Sequence, residues 1–190
     1  GKVFQLPVYE IPEGTRVAKG RGLLNFVELS ANDKVLNLFA LGKKDIEQGI
    51  KYMVMATKDG LVKKTPLEDF KNARRSGLIA ISLKKGDELR IVRKSTGNDQ
   101  IIVTTKKGQS IRFKEEDARA MGRSAAGTRA IRLKKGDEMV GMDVILENGK
   151  GKTQDPKKDG DYLLILTESG YGKRTLLKEY RMQSRGGSGI

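Results

Sequence analysis

The pentapeptide Lys-Lys-Gly-Asp-Glu stands at residues 84–88 and again at 134–138. The likeness extends around it, from SGLIAISLKKGDEL (76–89) to AGTRAIRLKKGDEM (126–139). A second landmark recurs: an apolar strand closes on Thr, and a Gly follows three residues later. Thr57 precedes Gly60, Thr105 precedes Gly108 and Thr167 precedes Gly170 in this way. Gly1 marks a further copy, entered at its turn. Counted from each Gly, the ninth residue on is acidic (Glu10, Asp69, Asp117, Glu179) and the fifteenth is Arg (Arg16, Arg75, Arg123, Arg185). The fourth is Gln5, Lys64, Arg112 and Arg174. A chain that repeats like this folds as an array of similar units, each burying an apolar face against its neighbour.

The units are all-β in pattern. Thr-x-x-Gly between two apolar runs is a β-hairpin signal, because Gly supplies the positive φ of a tight turn. Each unit yields about four antiparallel strands: one after the turn, one after a second Gly, one after KKGDE, and the Thr-ended strand. Units of about 45–50 residues with several short strands suit the blades of a β-propeller. The boundaries fall near 1–50, 51–98, 99–160 and 161–190. The connectors holding Asp69, Asp117 and Glu179 are read as helical turns. The segments 42–49 and 148–160 are read as loops that lengthen two units, the second as a mobile surface loop. With no initiator Met and unfinished end units, the chain reads as a piece of a larger ring, holding about four blades.

Charge narrows the function. Lys and Arg number 38 against 24 Asp and Glu, a net charge of +14, and such a surface attracts a polyanion. With no Cys and no His, disulfides, thiolate zinc sites and imidazole catalysis are excluded. No apolar run is long enough to span a membrane as a helix, so a cytoplasmic chain without a membrane partner is expected. Aromatics make up only 5%, which disfavours stacking on unpaired bases and favours contact with a duplex backbone.

The candidate DNA contacts are repeated cations. One set surrounds the fourth position: Lys63, Lys64, Arg112, Lys173 and Arg174. The other precedes the second Gly: Lys19, Arg21, Arg74, Arg75, Arg123 and Arg185. On one rim they would make a curved row of charge that tracks a bent duplex. For the Arg at the fifteenth position, an ion pair within the blade to the acid at the ninth is the competing reading. Gln183, Arg185, Gly186, Gly187 and Gly189 form a Gly-rich segment whose amides could approach a phosphate, or which is simply a turn. Tyr180 occupies a repeat core position and is not read as a nucleophile. The acidic run Glu115, Glu116 and Asp117 reads as a solvated turn, with no metal. No catalytic residue is assigned.

The segments GLVKKTPLEDF (60–70), MGRSAAGTRAIRLKKGDEMVG (121–141), LTESGYGKRTLLKEY (166–180) and 2–29 resemble the C-terminal domain of the A subunit of DNA gyrase or its topoisomerase IV paralogue. The resemblance covers essentially the whole chain. It implies a six-bladed β-pinwheel whose blades exchange strands and whose basic rim bends duplex DNA. It further implies a nucleoid-associated topoisomerase that uses ATP and Mg in other domains. The partners it implies are double-stranded DNA, an ATPase B subunit, and the rest of the A subunit. Members of the gyrase type carry a Gln-Arg-Arg-Gly-Gly-Lys-Gly box. Gln183, Arg185, Gly186, Gly187 and Gly189 match it, whereas Ser184 and Ser188 replace cations, so gyrase and topoisomerase IV stay open. A protein-binding propeller scaffold and an RNA-binding module are the alternatives.

Overall fold

A computed structural model describes residues 1–30, 33–146 and 161–190. The strands in chain order are β1 (Lys2–Val3), β2 (Tyr52–Thr57), β3 (Leu61–Pro66), β4 (Leu78–Ile79), β5 (Leu89–Ser95), β6 (Gln100–Thr105), β7 (Ser110–Lys114), β8 (Thr128–Arg129), β9 (Met139–Ile145), β10 (Tyr162–Leu166) and β11 (Gly172–Leu176). They form antiparallel sheets ordered β1-β4, β5-β2-β3-β8, β7-β6-β9 and β10-β11.

Each Thr-x-x-Gly is the hairpin it promised. Gly60, Gly108 and Gly170 have φ of 79°, 82° and 83°. The preceding Thr hydroxyl accepts the first amide after the turn, at 3.3 Å from Leu61, 3.1 Å from Gln109 and 3.1 Å from Tyr171. The KKGDE motif pins the same turns. Asp87 accepts the amides of Asp59 and Glu88 at 2.9 and 2.8 Å. Asp137 accepts those of Lys107 and Glu138 at 3.0 and 2.9 Å and the Thr105 hydroxyl at 2.7 Å. Its aspartate therefore ties the start of β5 or β9 back to the hairpin beside it. A register shift recurs at matching places, Ala56/Thr57 and Thr104/Thr105.

The strand after the second Gly leaves its own unit. β4 pairs with β1 and β8 with β3, so the second and third units each lend a short strand to the outer side of the sheet before them. The chain then returns through KKGDE to the other edge of its own hairpin. There β5 and β9 pack together, with Arg93 Nε 3.0 Å from Asp143. β5 and β9 are thus the edges at which the two central sheets come together, and β4 and β8 lie at the opposite, outer edges.

Alternate residues of β2 serve two cores, as a strand buried on both faces requires. Val54 and Ala56 pack with Val62, Ile101, Val103, Ile111 and Phe113 between the two central sheets. Met53 and Met55 pack with Phe70, Ala80 and Ile81 on the other side. The connectors are 3₁₀ turns at Val8–Glu10, Leu67–Phe70, Glu115–Asp117 and Leu177–Glu179. Residues 42–49, read as a loop, instead hold a short helix, α1 (Lys43–Glu47), whose Asp45 accepts the Gly42 amide and pairs with Lys94. The second lengthening segment, 148–160, lies outside the described residues. Among the described residues no helix is long and apolar enough to cross a membrane.

Candidate nucleic-acid interface

The two cation sets part company. Those around the fourth position of the two central units point between sheets, away from any rim. Lys63 is 1% exposed, and its ammonium donates to the carbonyls of Ala80 and Arg123 at 2.6 and 2.5 Å. Burial pulls its pKa down to about 8. Lys64 is 6% exposed. It donates to the carbonyls of Gly97 and Glu115 at 3.4 and 3.3 Å, stands 3.6 Å from the Glu115 carboxylate and lies over the Tyr52 ring at 5.1 Å. Half-buried Arg112 donates to Gln100 and to the carbonyls of Leu177 and Tyr180 at 2.9 and 3.2 Å. In both cases a fourth-position cation bonds the first carbonyl of the next unit's 3₁₀ turn, Glu115 or Leu177, which also accepts the amide that closes that turn. The rim placement of Lys63, Lys64 and Arg112 is therefore corrected: the two ammonium groups are buried at unit junctions, and the half-buried Arg112 guanidinium is engaged by Gln100 and two carbonyls of the next unit. Lys173 and Arg174 are exposed, and Arg174 stacks 4.4 Å from the Tyr162 ring centre.

In the second and third units the set before the second Gly leads into the exchanged strands β4 and β8 at the outer edge. Arg74 and Arg75 are exposed, as are Lys19 and Arg21 in the first unit. Arg75 binds Glu10 at 2.9 Å, and its carbonyl accepts the Glu28 amide. Half-buried Arg123 borders a shallow hollow with Gly77, Leu78, Ile79 and Ser124. Arg185 donates to the carbonyls of Asp117 and Arg129, which sets it beside the exposed Arg129 and Arg132 of the exchanged segment. Each junction between units thus carries arginine on its outside. Sequence reasoning missed Arg129 and Arg132. The run TRAIRL signals them, since Ala130 and Ile131 between them are core residues.

The contact between the fifteenth and ninth positions runs between units rather than within a blade: Arg75 of the second unit meets Glu10 of the first, and Arg185 of the fourth meets Asp117 of the third. The gapless count also conceals a shift. The amides of Glu28, Ser82 and Arg132 donate to the carbonyls of Arg75, Ala125 and Gly187, so Arg75 stands where Ala125 and Gly187 stand in later units. The stretch from Gly60 to Gly77 is two residues shorter than that from Gly108 to Gly127.

The Gly-rich segment is engaged in packing. Gln183 and Gly186 donate their amides to the carbonyls of Arg112 and Ala130, both at 2.8 Å. At Gly189 a Cβ would sit 2.5 Å from the Ser110 carbonyl oxygen, just as at Gly127 it would sit 2.7 Å from that of Val62. Glycine is required there because the exchanged segment presses against the outer strand. Glu115, read as part of a solvated run, is 0% exposed. It accepts the Ser95 hydroxyl at 2.7 Å and the amides of Gly97 and Asp99 at 3.2 and 3.1 Å.

Comparison with known proteins agrees with the fold. The family described as "DNA gyrase C-terminal domain, beta-propeller" matches residues 1–41, 51–94, 99–145 and 161–190. The DNA gyrase A protein of Staphylococcus epidermidis (strain ATCC 12228) is 41% identical over 190 residues, 100% of this chain and 20% of that protein. Its counterpart in Staphylococcus aureus (strain NCTC 8325) is equally similar over the same share. The chain therefore spans about a fifth of the length of these relatives. Among solved structures, the C-terminal domain of DNA topoisomerase IV superposes with a TM-score of 0.83 at 24% identity, covering 100% of this chain and 55% of that one. The DNA gyrase A C-terminal domain gives 0.73 at 24% identity, covering 100% and 56%. At that identity the superpositions speak for the fold. The family match and the curated relatives go further, and the chain belongs to the DNA gyrase C-terminal domain, beta-propeller family.

Proposed function

We propose that the chain binds duplex DNA without reading its sequence and bends it along the outer edge of the propeller, in the service of a type IIA topoisomerase. The observation that carries this reading is the recurrence of exposed or half-exposed arginine outside each unit junction, at Arg75, Arg123, and Arg129 with Arg132 and Arg185. A duplex presents phosphates in succession, and cations recurring along a curved edge neutralise them one after another. Smoothly bending a 20–30 bp stretch costs about 1–6 kcal/mol, which those contacts offset. The chain itself supplies no chemistry in this reading. Strand cleavage, ATP and Mg belong to an ATPase B subunit, and to the other domains of the A subunit. A complex of this kind works on the nucleoid in the cytoplasm. A competition gel with linear duplex, a small DNA circle and structured RNA tests it. The circle should compete best, because its bend is already made. Preference for RNA, or indifference to all three, would remove the proposal in favour of an RNA-binding module or a protein scaffold.

A further inference from the structure

We infer that Lys64 and Glu115 form a positioning lock that fixes the angle between adjacent blades and, through it, the curvature imposed on bound DNA. Lys64 belongs to β3 of one sheet, whereas Glu115 follows β7 of the next. The ammonium stands 3.6 Å from the Glu115 carboxylate and bonds the Glu115 carbonyl and the Gly97 carbonyl between the sheets. The carboxylate is held from the other side by Ser95, Gly97 and Asp99. The backbone bonds in the same place: the Met121 amide donates to the Lys64 carbonyl at 2.8 Å, and Lys64 bridges Ala120 in parallel. Arg112 repeats the arrangement one unit on, where the Gln183 amide meets its carbonyl and its guanidinium meets the Leu177 turn.

A buried, hydrogen-bonded charge pair adds little to stability over an apolar pair of the same shape, yet it tolerates few alternative geometries. An apolar junction could slide by small rotations. This one has to keep a carboxylate among four donors. The curvature part of the inference rests on the duplex-binding reading. The fixed angle stands on the geometry alone.

The chain has no Cys, so two spin labels can be placed uniquely through Lys84→Cys and Lys134→Cys. Both sites are exposed, and each sits on a loop pinned to its own sheet by Asp87 or Asp137. Because Lys64→Met alone strands a buried carboxylate, the test variant is Lys64→Met with Glu115→Gln, checked for folding by its thermal melt. Lys64→Arg is the conservative control. Without DNA, the labelled parent and Lys64→Arg should give one narrow distance, and the double variant a distribution about twice as broad or more. With DNA, the double variant should bind a duplex of roughly 12 bp within about twofold of the parent, yet draw together the ends of a duplex of roughly 60 bp several-fold less. A narrow, unshifted distance in a folded double variant overturns the inference. Broadening of that distance in a chain whose parent binds no duplex would refute the DNA reading and leave the lock standing.

Discussion

Lys63 shows what a single buried cation does to this fold. It keeps its ordinary value of 10.5 in the unfolded chain and falls to about 8 in the folded one. Between those values the unfolded chain holds a proton that the folded chain has released, so the Lys63 contribution makes stability rise with pH across that window. It does so by at most about 1.4 kcal/mol per pH unit. Below pH 8 both states are protonated and the cost of burying the charge is fully present. In urea melts at pH 7.5 and 9.5, the parent should gain stability relative to Lys63→Met as pH rises. A flat difference would show that the two carbonyls compensate the burial. Such a role was not legible in the sequence. Lys63 and Lys64 read as one exposed doublet within LVKKTP, because an alternating strand exposes one face only when that face meets water. Here both faces of β3 meet protein.

At the scale of elements, the hairpins were the most legible part of the chain, because Thr-x-x-Gly acts locally and its bonds close within four residues. The long-range partner of each hairpin was less legible. KKGDE stood out as a repeated string, but only the sheet order shows that its Asp reaches across to the turn. Buried Asp87 serves the amides of Asp59 and Glu88 together, and removing it leaves both without an acceptor. Asp87→Ala should cost about 2–3 kcal/mol in urea unfolding. Asp87→Asn keeps an oxygen in place and should recover at least half of that. Equal loss in both variants would show that charge, not hydrogen bonding, holds the turn. Strand exchange was likewise invisible to patterning alone, since β4 and β8 have the composition of ordinary short strands. The exchange entered only through the family resemblance. Its physical mark in the sequence is Gly127, where Val62 leaves no room for a Cβ.

For the molecule as a whole, the division of its cations into two kinds decides what charge can do. Those at the fourth position of the central units hold one unit to the next, and those before the exchanged strand face outwards. Net charge alone cannot separate the two, and mutating the wrong kind would unfold junctions and imitate lost binding. Arg74, Arg129 and Arg132 are exposed at the outer edge, so their replacement leaves the junction bonds in place. If the edge engages about six to eight phosphates, log K should fall with log salt at a slope of roughly −5 to −7. Reversing these three to Glu should leave the thermal melt nearly unchanged, weaken binding to unrelated duplex sequences alike, and flatten the slope by about 3, one for each phosphate no longer neutralised. Lys64→Glu makes the opposite control: it should lower the melting temperature first and weaken binding of a short duplex only as far as the chain unfolds. An unchanged slope after the triple reversal would place the duplex on another face, and a loss confined to one DNA sequence would mean that base edges, rather than phosphates, are being read.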